Sequence, residues 1–364
     1  MRLGRLWLTD FRNYASADLV PAADGLTVVV GANGEGKTNL LEAMGYLATL
    51  ASFRGVTRDA MVRQGRERAV VRAEVERDGR QLLLEAEISL VGRDRVLVNR
   101  QPLRRARDLL GALRVTVFSP DDLVLVKGGP ADRREYLDDT LTALHPRNDA
   151  LRAELDRILR HRNALLKQLT GPGARPGGRI GAEAETTLDV WDAKLAEAGE
   201  AMAEGRTALG RSLEPEVAKA YDQVARTGAA VEMKYRRSWE GSLADAVAAA
   251  RPDDLRRGIT TVGPHRDDLE LTIDGMPART HASQGEQRSL ALALRLASHA
   301  VVTEATGSPP VLLLDDVFSE LDADRQEALV DHLPAGQALL TTTGGLPARA
   351  RPQRVVNVHG GRLS

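Results

Sequence analysis

The strongest constraint on the fold of this chain is a glycine-rich loop that follows an apolar, β-branched run. Residues 26–30 read Leu-Thr-Val-Val-Val, which is typical of a strand buried on both faces. Residues 31–38 then match the pattern G-x-x-x-x-G-K-[ST], and an apolar helical segment begins at Asn39. A strand, a glycine loop and a helix in this order form the setting in which backbone N–H groups bind phosphate. The alternative, a glycine turn before an ordinary helix, is still open at this point.

The loop supplies the first candidate site residues. We expect Lys37 to reach the β- and γ-phosphates of ATP and Thr38 to offer its hydroxyl to Mg²⁺. Lys37 is also a candidate catalytic residue, because it carries the counter-charge of the phosphates. The candidate nucleotide-binding residues here are Gly31, Ala32, Asn33, Gly34, Glu35, Gly36, Lys37, Thr38 and Asn39.

A second apolar run ends in two carboxylates. Residues 310–314 predict a buried strand, and Asp315 and Asp316 follow it directly. A strand end beside the glycine loop can aim Asp315 at the Mg²⁺ held by Thr38, which makes Asp315 a candidate metal ligand and catalytic residue. Asp316 is then the candidate base or orienting group for the attacking water. The alternative is a pair of solvated acids in a turn after a core strand.

The composition excludes several other kinds of site. The chain has 364 residues, of which 43% are hydrophobic and 28% charged, so we expect a folded chain of two or three lobes. It contains no cysteine, which excludes disulfides, thiol nucleophiles and cysteine-bound zinc. The net charge of −1 gives no global attraction to nucleic acid, and no apolar run is long enough to span a membrane. We therefore expect a cytoplasmic protein without a membrane partner.

Two further segments complete a set of motifs. Residues 283–288 read Ser-Gln-Gly-Glu-Gln-Arg and precede a helical segment rich in leucine and alanine. They form either a second anion-binding helix start or a serine N-cap whose capping box is closed by Glu286. Residues 319–322, Ser-Glu-Leu-Asp, follow shortly after Asp316. The glycine loop, the S-x-G-E segment, the paired acids and the S-x-L-D segment occur in the order found in ABC-type ATPases, which favours the anion-binding interpretation.

Taken together, these motifs resemble the RecF family of ABC-type ATPases, which is related to the SMC heads. The matching segments are residues 10–14, 36–43, 52–54, 118–123, 133–138, 263–269, 283–297 and 312–322. The fold that the resemblance implies is α/β, with an ABC-type ATPase head made of a mixed β-sheet lobe that carries the P-loop. A second, mainly α-helical lobe with a short helical-hairpin arm completes it.

The resemblance also implies a mechanism. Two subunits would pair head to tail, so that each ATP is held by the glycine loop of one and by Ser283, Gly285 and Glu286 of the other. Weak, DNA-stimulated hydrolysis would loosen this ATP-dependent homodimer and release DNA. The partners implied are double-stranded and gapped DNA, together with RecR and RecO. The role implied is that of a nucleoid-associated recombination mediator that supports RecA loading and the SOS response.

Three departures from transporter ATPases bear on this mechanism. Asp316 stands where transporters usually have glutamate, so we expect slow turnover. Residues 341–343 are threonines where transporters place a switch histidine. No clear Q-loop glutamine is present, and residues 118–122 occupy that part of the chain, which leaves a contact between Asp121 and Mg²⁺ open.

The motifs divide the chain into two lobes. We expect residues 1–120 and 301–364 to form the ATPase lobe, and residues 121–300 to form the second lobe with the arm and the S-x-G-E segment. Alternating patterns predict strands at residues 2–8, 26–30, 68–77, 81–91, 96–98 and 337–343. Asp78-Gly79 predicts a hairpin turn. Helical periodicity runs from residue 132 to about 250, with a first arm helix at 147–169 and a break at 171–179.

Arginines are the candidate anion contacts outside the motifs. Arg12 is a candidate nucleotide contact. Arg54 is either a phosphate-sensing or DNA-coupling residue, or part of a structural ion pair. Any DNA contact would need several arginines on one face, since the whole chain is neutral. The candidate pairs, each of which is more often a solvated helix face than a phosphate contact, are Arg104-Arg105, Arg133-Arg134, Arg236-Arg237 and Arg256-Arg257.

Three other functions are alternatives to a RecF-type ATPase. A transporter energy subunit is disfavoured by the missing switch histidine and by the size of the arm. An SMC-like architectural ATPase is disfavoured by the short insertion between Lys37 and Ser283. An ATPase with nuclease activity would need a separate carboxylate-rich domain, which this chain does not suggest.

Overall fold

A parallel sheet through the middle of the molecule joins the segments that the sequence singles out. The computed structural model describes residues 1–170 and 181–364. Its strands are β1 Arg2–Phe11, β2 Tyr14–Leu19, β3 Gly25–Val30, β4 Arg68–Arg77, β5 Arg80–Ser89, β6 Arg95–Val98, β7 Gln101–Pro102, β8 Val115–Phe118, β9 Val231–Arg236, β10 Asp268–Ile273, β11 Met276–Pro277, β12 Val311–Leu314, β13 Gln337–Thr342, β14 Arg354–His359 and β15 Arg362–Leu363. Its α-helices are α1 Lys37–Thr49, α2 Arg58–Met61, α3 Val124–Lys127, α4 Pro130–Leu144, α5 Arg147–Thr170, α6 Ala182–Ala225, α7 Leu243–Arg257, α8 Ala278–His281, α9 Gln284–Thr306 and α10 Ala323–Asp331.

The central sheet has the strand order β15-β14-β3-β13-β12-β8. Strands β14, β3, β13, β12 and β8 pair in parallel, and β15 adds to the edge as an antiparallel strand. The carboxyl ends of parallel strands lie at one edge of a sheet, so the segments that follow β3, β12 and β13 are brought together there. These segments are the glycine loop, the paired aspartates and the end of the threonine run.

The antiparallel sheet confirms the local predictions. Its order is β2-β1-β4-β5-β6-β7, and β4 has the bounds that the alternation predicts. Arg77 pairs with Arg80 across a tight turn in which Asp78 and Gly79 have φ of 50° and 72°. Two consecutive positive φ values are those of a type I′ hairpin turn, which explains the Asp-Gly pair. The strand predicted at residues 2–8 extends to Phe11 as β1.

The two hydrophobic cores lie on opposite faces of the central sheet. Val28 and Leu340 pack in the core shared with the long helices, whereas Val29 and Leu339 pack in the core shared with α1 and the antiparallel sheet. Both faces of β3 are therefore covered, which is why its apolar residues run without interruption. The predicted division into two lobes stays a prediction, and α9 runs unbroken through the predicted boundary between residues 300 and 301.

The helical lobe contains the predicted arm. Helix α5 begins at the predicted residue and ends one residue past the predicted end, and it packs along α6. The predicted break at residues 171–179 lies outside the described residues. The expectation of continuous helix up to residue 250 is wrong at one point, because β9 forms there and pairs with β10. No helix in the described ranges is long and apolar enough to cross a membrane.

Candidate functional site

The glycine loop needs glycine at three positions for different reasons. Gly34 and Gly36 have φ of 84° and 113°, in the region that disfavours side chains, and Gly36 is the N-cap of α1. At Gly31 an added Cβ atom would lie 2.5 Å from the backbone oxygen of Val358 in β14. The loop therefore passes close to the neighbouring strand before it turns into the helix.

The loop is held in place from outside. The side chain of Asn13 donates a hydrogen bond to the carbonyl oxygen of Glu35 at 2.7 Å, and the hydroxyl of Tyr14 donates to that of Gly36 at 3.0 Å. On the other side, the Glu35 carboxylate accepts a hydrogen bond from the amide of Gly360, in the turn between β14 and β15. A loop braced on both sides requires less ordering when an anion binds.

Lys37 turns back over the loop. Its ammonium group donates hydrogen bonds to the carbonyl oxygens of Gly31 at 2.8 Å and Ala32 at 2.9 Å. The residue is only 7% exposed, so its charge lies inside the loop instead of in solvent. A buried ammonium beside the N-terminus of a helix is an arrangement that suits a polyanion such as a triphosphate.

Thr38 meets the first of the paired aspartates. Its hydroxyl donates a hydrogen bond to Oδ1 of Asp315 at 2.8 Å, which joins the start of α1 to the end of β12. Burial raises the pKa of Asp315, and the nearby Asp316 carboxylate acts in the same direction, whereas the hydroxyl groups of Thr341 and Thr38 oppose the rise. A cation at this position would relieve the cost of keeping Asp315 ionised in a buried place.

The donor atoms at this point suit Mg²⁺. Mg²⁺ is usually held by one or two carboxylates together with phosphate oxygens and water, and hydroxyl and carboxylate oxygens are its preferred ligands. Thr38 and Asp315 provide one oxygen of each kind. Within residues 1–170 and 181–364 no group of three or more histidine, aspartate or glutamate side chains is arranged to hold a metal ion alone. The residues present therefore fit a metal ion whose ligands come partly from the protein and partly from a bound nucleotide.

Asp316 adopts an unusual backbone conformation. Its φ of 46° lies in the left-handed region, and its carbonyl oxygen accepts a hydrogen bond from the amide of Ser319 at 3.1 Å. The turn that follows makes the chain leave the sheet immediately after Asp315. A strained residue next to a buried carboxylate is the kind of feature that accumulates at functional sites.

Thr341 is a site residue that the sequence reasoning did not identify. Its hydroxyl donates to Oδ1 of Asp315 at 2.7 Å and accepts from the amide of Asp316 at 2.9 Å. The sequence shows threonines at residues 341–343 where transporter ATPases have a switch histidine, but this comparison does not predict the contact with Asp315. A polar residue at the end of a buried strand next to β12 was the available signal.

Arg12 is engaged in a structural ion pair. Its Nε and Nη2 atoms donate to the two carboxylate oxygens of Glu42 at 2.7 and 2.6 Å, and Nη1 donates to the carbonyl oxygen of Ala60 at 2.9 Å. Glu42 belongs to α1 and is fully buried, so the pair ties the end of β1 to the helix of the glycine loop. Contact between Arg12 and a nucleotide stays a prediction. The guanidinium group is already bonded to Glu42 and to the carbonyl oxygen of Ala60.

Arg54 lies at the edge of the same region. Its Nη1 atom donates to the side chain of Asn39 at 3.4 Å, and its charge opposes in part the rise that burial causes in the pKa of Asp315. Together with Arg12 and Asn13, these two residues line a cleft of about 470 Å³ beside the glycine loop. The structure thus brings Arg54 to the loop, and a phosphate contact stays a prediction.

The S-x-G-E segment forms the capping box that the sequence left as an alternative. The Ser283 amide donates to the Glu286 carboxylate at 2.7 Å, and the Glu286 amide donates to the Ser283 hydroxyl at 3.3 Å. At Gly285 an added Cβ would lie 2.6 Å from Nη1 of Arg325. The contacts of Ser283, Gly285 and Glu286 in the described residues are thus within the start of α9 and with Arg325 of α10.

The arginine pairs do not all point to solvent. Arg133 is buried and donates to the Asp268 carboxylate at 2.8 and 3.1 Å, so the prediction of a solvated helix face is wrong for this residue, and contact with DNA stays a prediction. Its neighbour Arg134 donates to the carbonyl oxygen of Asp267 at 2.7 Å. Arg236 forms an exposed ion pair with Glu270.

Comparison with known proteins shows which family this chain is similar to in sequence. Residues 2–341 match the family described as the RecF/RecN/SMC N terminal domain. The chain is 47% identical over 379 aligned positions to the DNA replication and repair protein RecF of Frankia alni, covering 99% of this chain and 98% of that protein. It is 44% identical to the protein of the same name from Streptomyces avermitilis, with 94% and 93% coverage.

Solved structures show the same likeness in three dimensions. The structure of the recombination mediator protein RecF-ATP in the RecFOR pathway superposes with a TM-score of 0.89 at 28% identity, over 100% of this chain and 97% of that one. The Smc head domain of Pyrococcus furiosus, bound to the C-terminal domain of ScpA, superposes with a TM-score of 0.57 at 15% identity, covering 100% and 95% of the two chains. The second likeness is one of fold alone.

Proposed function

This chain belongs to the RecF family of DNA replication and repair proteins, and from that premise we propose that it binds ATP with Mg²⁺ and hydrolyses it slowly as a switch. The single observation that carries the proposal is the hydrogen bond between Thr38 and Asp315, at 2.8 Å. It joins the glycine loop to the paired aspartates, which are far apart in sequence, at one edge of the sheet. A phosphate-binding loop without this carboxylate would bind anions but would lack a place for the metal ion.

The residues divide the work by their chemistry. The backbone amides of residues 31–38 and the Lys37 ammonium bind and orient the phosphates. Thr38 and Asp315 are proposed to hold Mg²⁺, which when bound neutralises charge on the phosphate oxygens. Asp316 is proposed to orient the attacking water or to accept its proton. Because Asp316 is one methylene shorter than glutamate, we expect slow hydrolysis.

The second half of the nucleotide site comes from another subunit in this proposal. The start of α9 presents Ser283, Gly285 and Glu286 at a helix N-terminus, where the helix dipole favours an anion. The hydrogen bonds of Ser283 and Glu286 lie within this segment itself, which leaves the pairing of the two halves to the proposed dimer. Two copies paired head to tail would place each segment against the nucleotide of the other copy. Hydrolysis would remove the γ-phosphate contact and weaken the dimer.

The cellular role follows from the family. We propose that the ATP-bound dimer binds double-stranded and gapped DNA in the cytoplasm and acts with RecR and RecO as a recombination mediator. In that role it would support RecA loading and the SOS response, and DNA would stimulate the weak ATPase activity. A long coiled coil is the hallmark of an architectural SMC protein, whereas here α5 and α6 have 24 and 44 residues. This difference favours the mediator over the architectural function.

Complementation between two inactive variants tests the composite site. Lys37→Ala removes the phosphate counter-charge, and Ser283→Arg places a bulky cation at the start of α9. We expect each variant alone to fail to dimerise with ATP, and an equimolar mixture to form dimers with one working site. Sedimentation velocity with and without ATP measures this.

Ser283→Ala is the matched control, because it removes the cap without adding bulk. The loss of a cap costs about 1 kcal/mol of stability, so this variant should still fold and bind ATP. Failure of the mixture to dimerise, while both variants remain folded, would contradict the composite site.

A further inference from the structure

Strand β8 forms one edge of the central sheet. It pairs with β12 on one side only and is the last strand in the sheet order. The amide of Val311 donates to the carbonyl oxygen of Arg114 at 3.0 Å, and that of Asp315 donates to Phe118 at 2.8 Å. Backbone groups alternate in direction along a strand, so the N–H and C=O groups of Val115 and Val117 point away from β12. No hydrogen bond from the described residues reaches these groups.

A groove runs along this free edge. It has a volume of about 590 Å³, and Val115, Thr116 and Val117 are among the residues that line it. The loop after α1, including Phe53, forms one wall, and α4, α5 and α9 form the other. Exposed edges are templates for the addition of a further strand, and proteins normally cover or charge them. This edge is short but open along the groove.

The two faces of β8 differ. Val115 and Val117 pack toward the core of α1, on the side of Phe53. Thr116 and Phe118 face the helical lobe, where Nδ1 of His299 lies 3.3 Å from the Thr116 hydroxyl. A strand added beside β8 would alternate in the same way, since neighbouring residues on paired strands share a face. Half of its side chains would therefore meet the apolar wall and half the helical wall.

The groove is acidic. Seven carboxylates and four guanidinium groups line it, without lysine or histidine. Asp156 is exposed and has no ion pair among the described residues, and Asp139 is 54% exposed although it pairs with Arg152. A cation beside these two carboxylates would therefore be electrostatically favourable.

We propose that this groove binds an extended, basic peptide segment of a partner protein, which adds as a strand to the edge of β8. Its apolar side chains lie opposite Val115 and Val117. Its lysine or arginine side chains point to Asp139 and Asp156 on the helical wall. Main-chain hydrogen bonds give such a complex its affinity, and alternate side chains give it specificity.

Strand β8 connects the proposed peptide groove to the aspartate pair at residues 315 and 316. Phe118, the last residue of β8, accepts the hydrogen bond from the amide of Asp315 at 2.8 Å. A peptide that straightens or fixes β8 would therefore act on the position of Asp315. The partner's segment would sense or adjust the nucleotide site without touching it.

A short labelled peptide of alternating valine and lysine is the probe for this site. We expect it to bind the full chain without nucleotide, as measured by fluorescence anisotropy, and to slow hydrogen exchange at the amides of Val115 and Val117. The same peptide with glutamate in place of lysine should not bind. Equal binding of the two peptides, or unchanged exchange at both valines, would overturn the proposal. Because no ATP is present, either result leaves the proposed nucleotide site untouched.

Two kinds of variant distinguish the contribution of the β8 backbone to peptide affinity from the contribution of the carboxylates. Val117→Pro removes an outward N–H group and leaves the pairing with β12 intact, because proline is tolerated at that side of an edge strand. The double change Asp139→Lys and Asp156→Lys reverses the charge of the helical wall. We expect each variant to weaken lysine peptide binding by about tenfold or more. Glu240→Lys, an exposed reversal outside the groove, is the control and should bind normally. Wild-type affinity in both groove variants would refute the site, and the exchange experiment on the unchanged protein stands whether or not they fold.

Discussion

The hydroxyl of Thr341 donates a hydrogen bond to Oδ1 of Asp315 at 2.7 Å and so holds this carboxylate from the adjacent strand. The same oxygen accepts from Thr38 at 2.8 Å, so one carboxylate atom accepts hydrogen bonds from hydroxyl groups at the end of β13 and at the start of α1. Both bonds favour the ionised carboxylate against the effect of burial. The orientation of the proposed metal ligand therefore depends on a residue that would not touch the nucleotide.

Thr341→Val should weaken metal-dependent function. Valine keeps the shape of threonine but cannot donate to Asp315, so the pKa of Asp315 should rise further and Mg²⁺ should bind less well. We expect ATP hydrolysis at limiting Mg²⁺ to fall about tenfold, with partial recovery at high Mg²⁺. Thr343→Val, at an exposed position of the same run, is the control. An unchanged Mg²⁺ dependence would rule out the positioning role of Thr341.

Lys37→Ala should abolish ATP binding. The change removes the ammonium group that lies inside the glycine loop, while the fold around it is braced by other residues. Isothermal titration calorimetry measures the affinity directly. Lys127→Ala removes an exposed lysine and should leave it unaltered. Full affinity in Lys37→Ala would contradict the assignment of the loop.

Asp316→Asn should keep ATP bound and arrest the protein as a dimer. Asparagine is similar in size but cannot accept a proton from water, so hydrolysis should stop while nucleotide contacts persist. Light scattering with ATP should report a stable dimer, and phosphate release should fall to background. Asp324→Asn, on the exposed side of α10, should behave as the wild type. A monomer at saturating ATP would refute the role of Asp316.

Arg133→Ala should destabilise the fold more than Arg236→Ala, which changes an exposed arginine. Arg133 is buried, and its removal leaves the Asp268 carboxylate without its partner, although that side chain is 32% exposed. We expect a loss of about 2 kcal/mol in the free energy of unfolding, less than for a fully buried pair. Arg236→Ala breaks an exposed pair and should cost less than about 1 kcal/mol. Urea denaturation distinguishes the two, and equal losses would contradict the structural role.

His299 should make stability depend on pH in the acid range. Burial lowers the pKa of His299 to about 4. As pH falls below about 6.5 the unfolded chain binds a proton there that the folded chain does not, so stability is lost until pH reaches about 4. The contribution amounts to about 3 kcal/mol at most.

His299→Gln should therefore reduce the loss of stability between about pH 6.5 and 4, relative to the wild type. His359→Gln, at an exposed histidine, is the comparison variant. Urea unfolding at several pH values gives the comparison. Parallel profiles of the wild type and His299→Gln would show that the group titrates normally.

Local features of this fold could be predicted from sequence, whereas features set by distant neighbours could not. The hairpin at Asp78-Gly79 and the bounds of β4 depend on residues close in sequence, and both predictions are confirmed. The meeting of the glycine loop with Asp315 could be predicted because both follow parallel strands. The role of Thr341 depends on β13 lying beside β12, which no local pattern states.

The helical lobe shows the same limit. Strand β9 lies in a stretch with helical composition, and its partner β10 is more than thirty residues further along the chain. Arg133 looks like a solvated arginine until the fold places Asp268 beside it. Periodicity records which face of an element is apolar, but it does not record which element covers that face.

The position of β3 has a consequence for synthesis on the ribosome. Its two neighbours in the sheet are β13 and β14, which lie about three hundred residues further along the chain. The nascent chain thus exposes an apolar strand early and must hold it unpaired until β13 and β14 have been synthesised. The proposed nucleotide pocket has the same order of synthesis: its glycine loop is translated early, but Thr341, which holds Asp315, is translated only with β13. A nascent chain that stops before β13 therefore lacks the group that orients the proposed metal ligand.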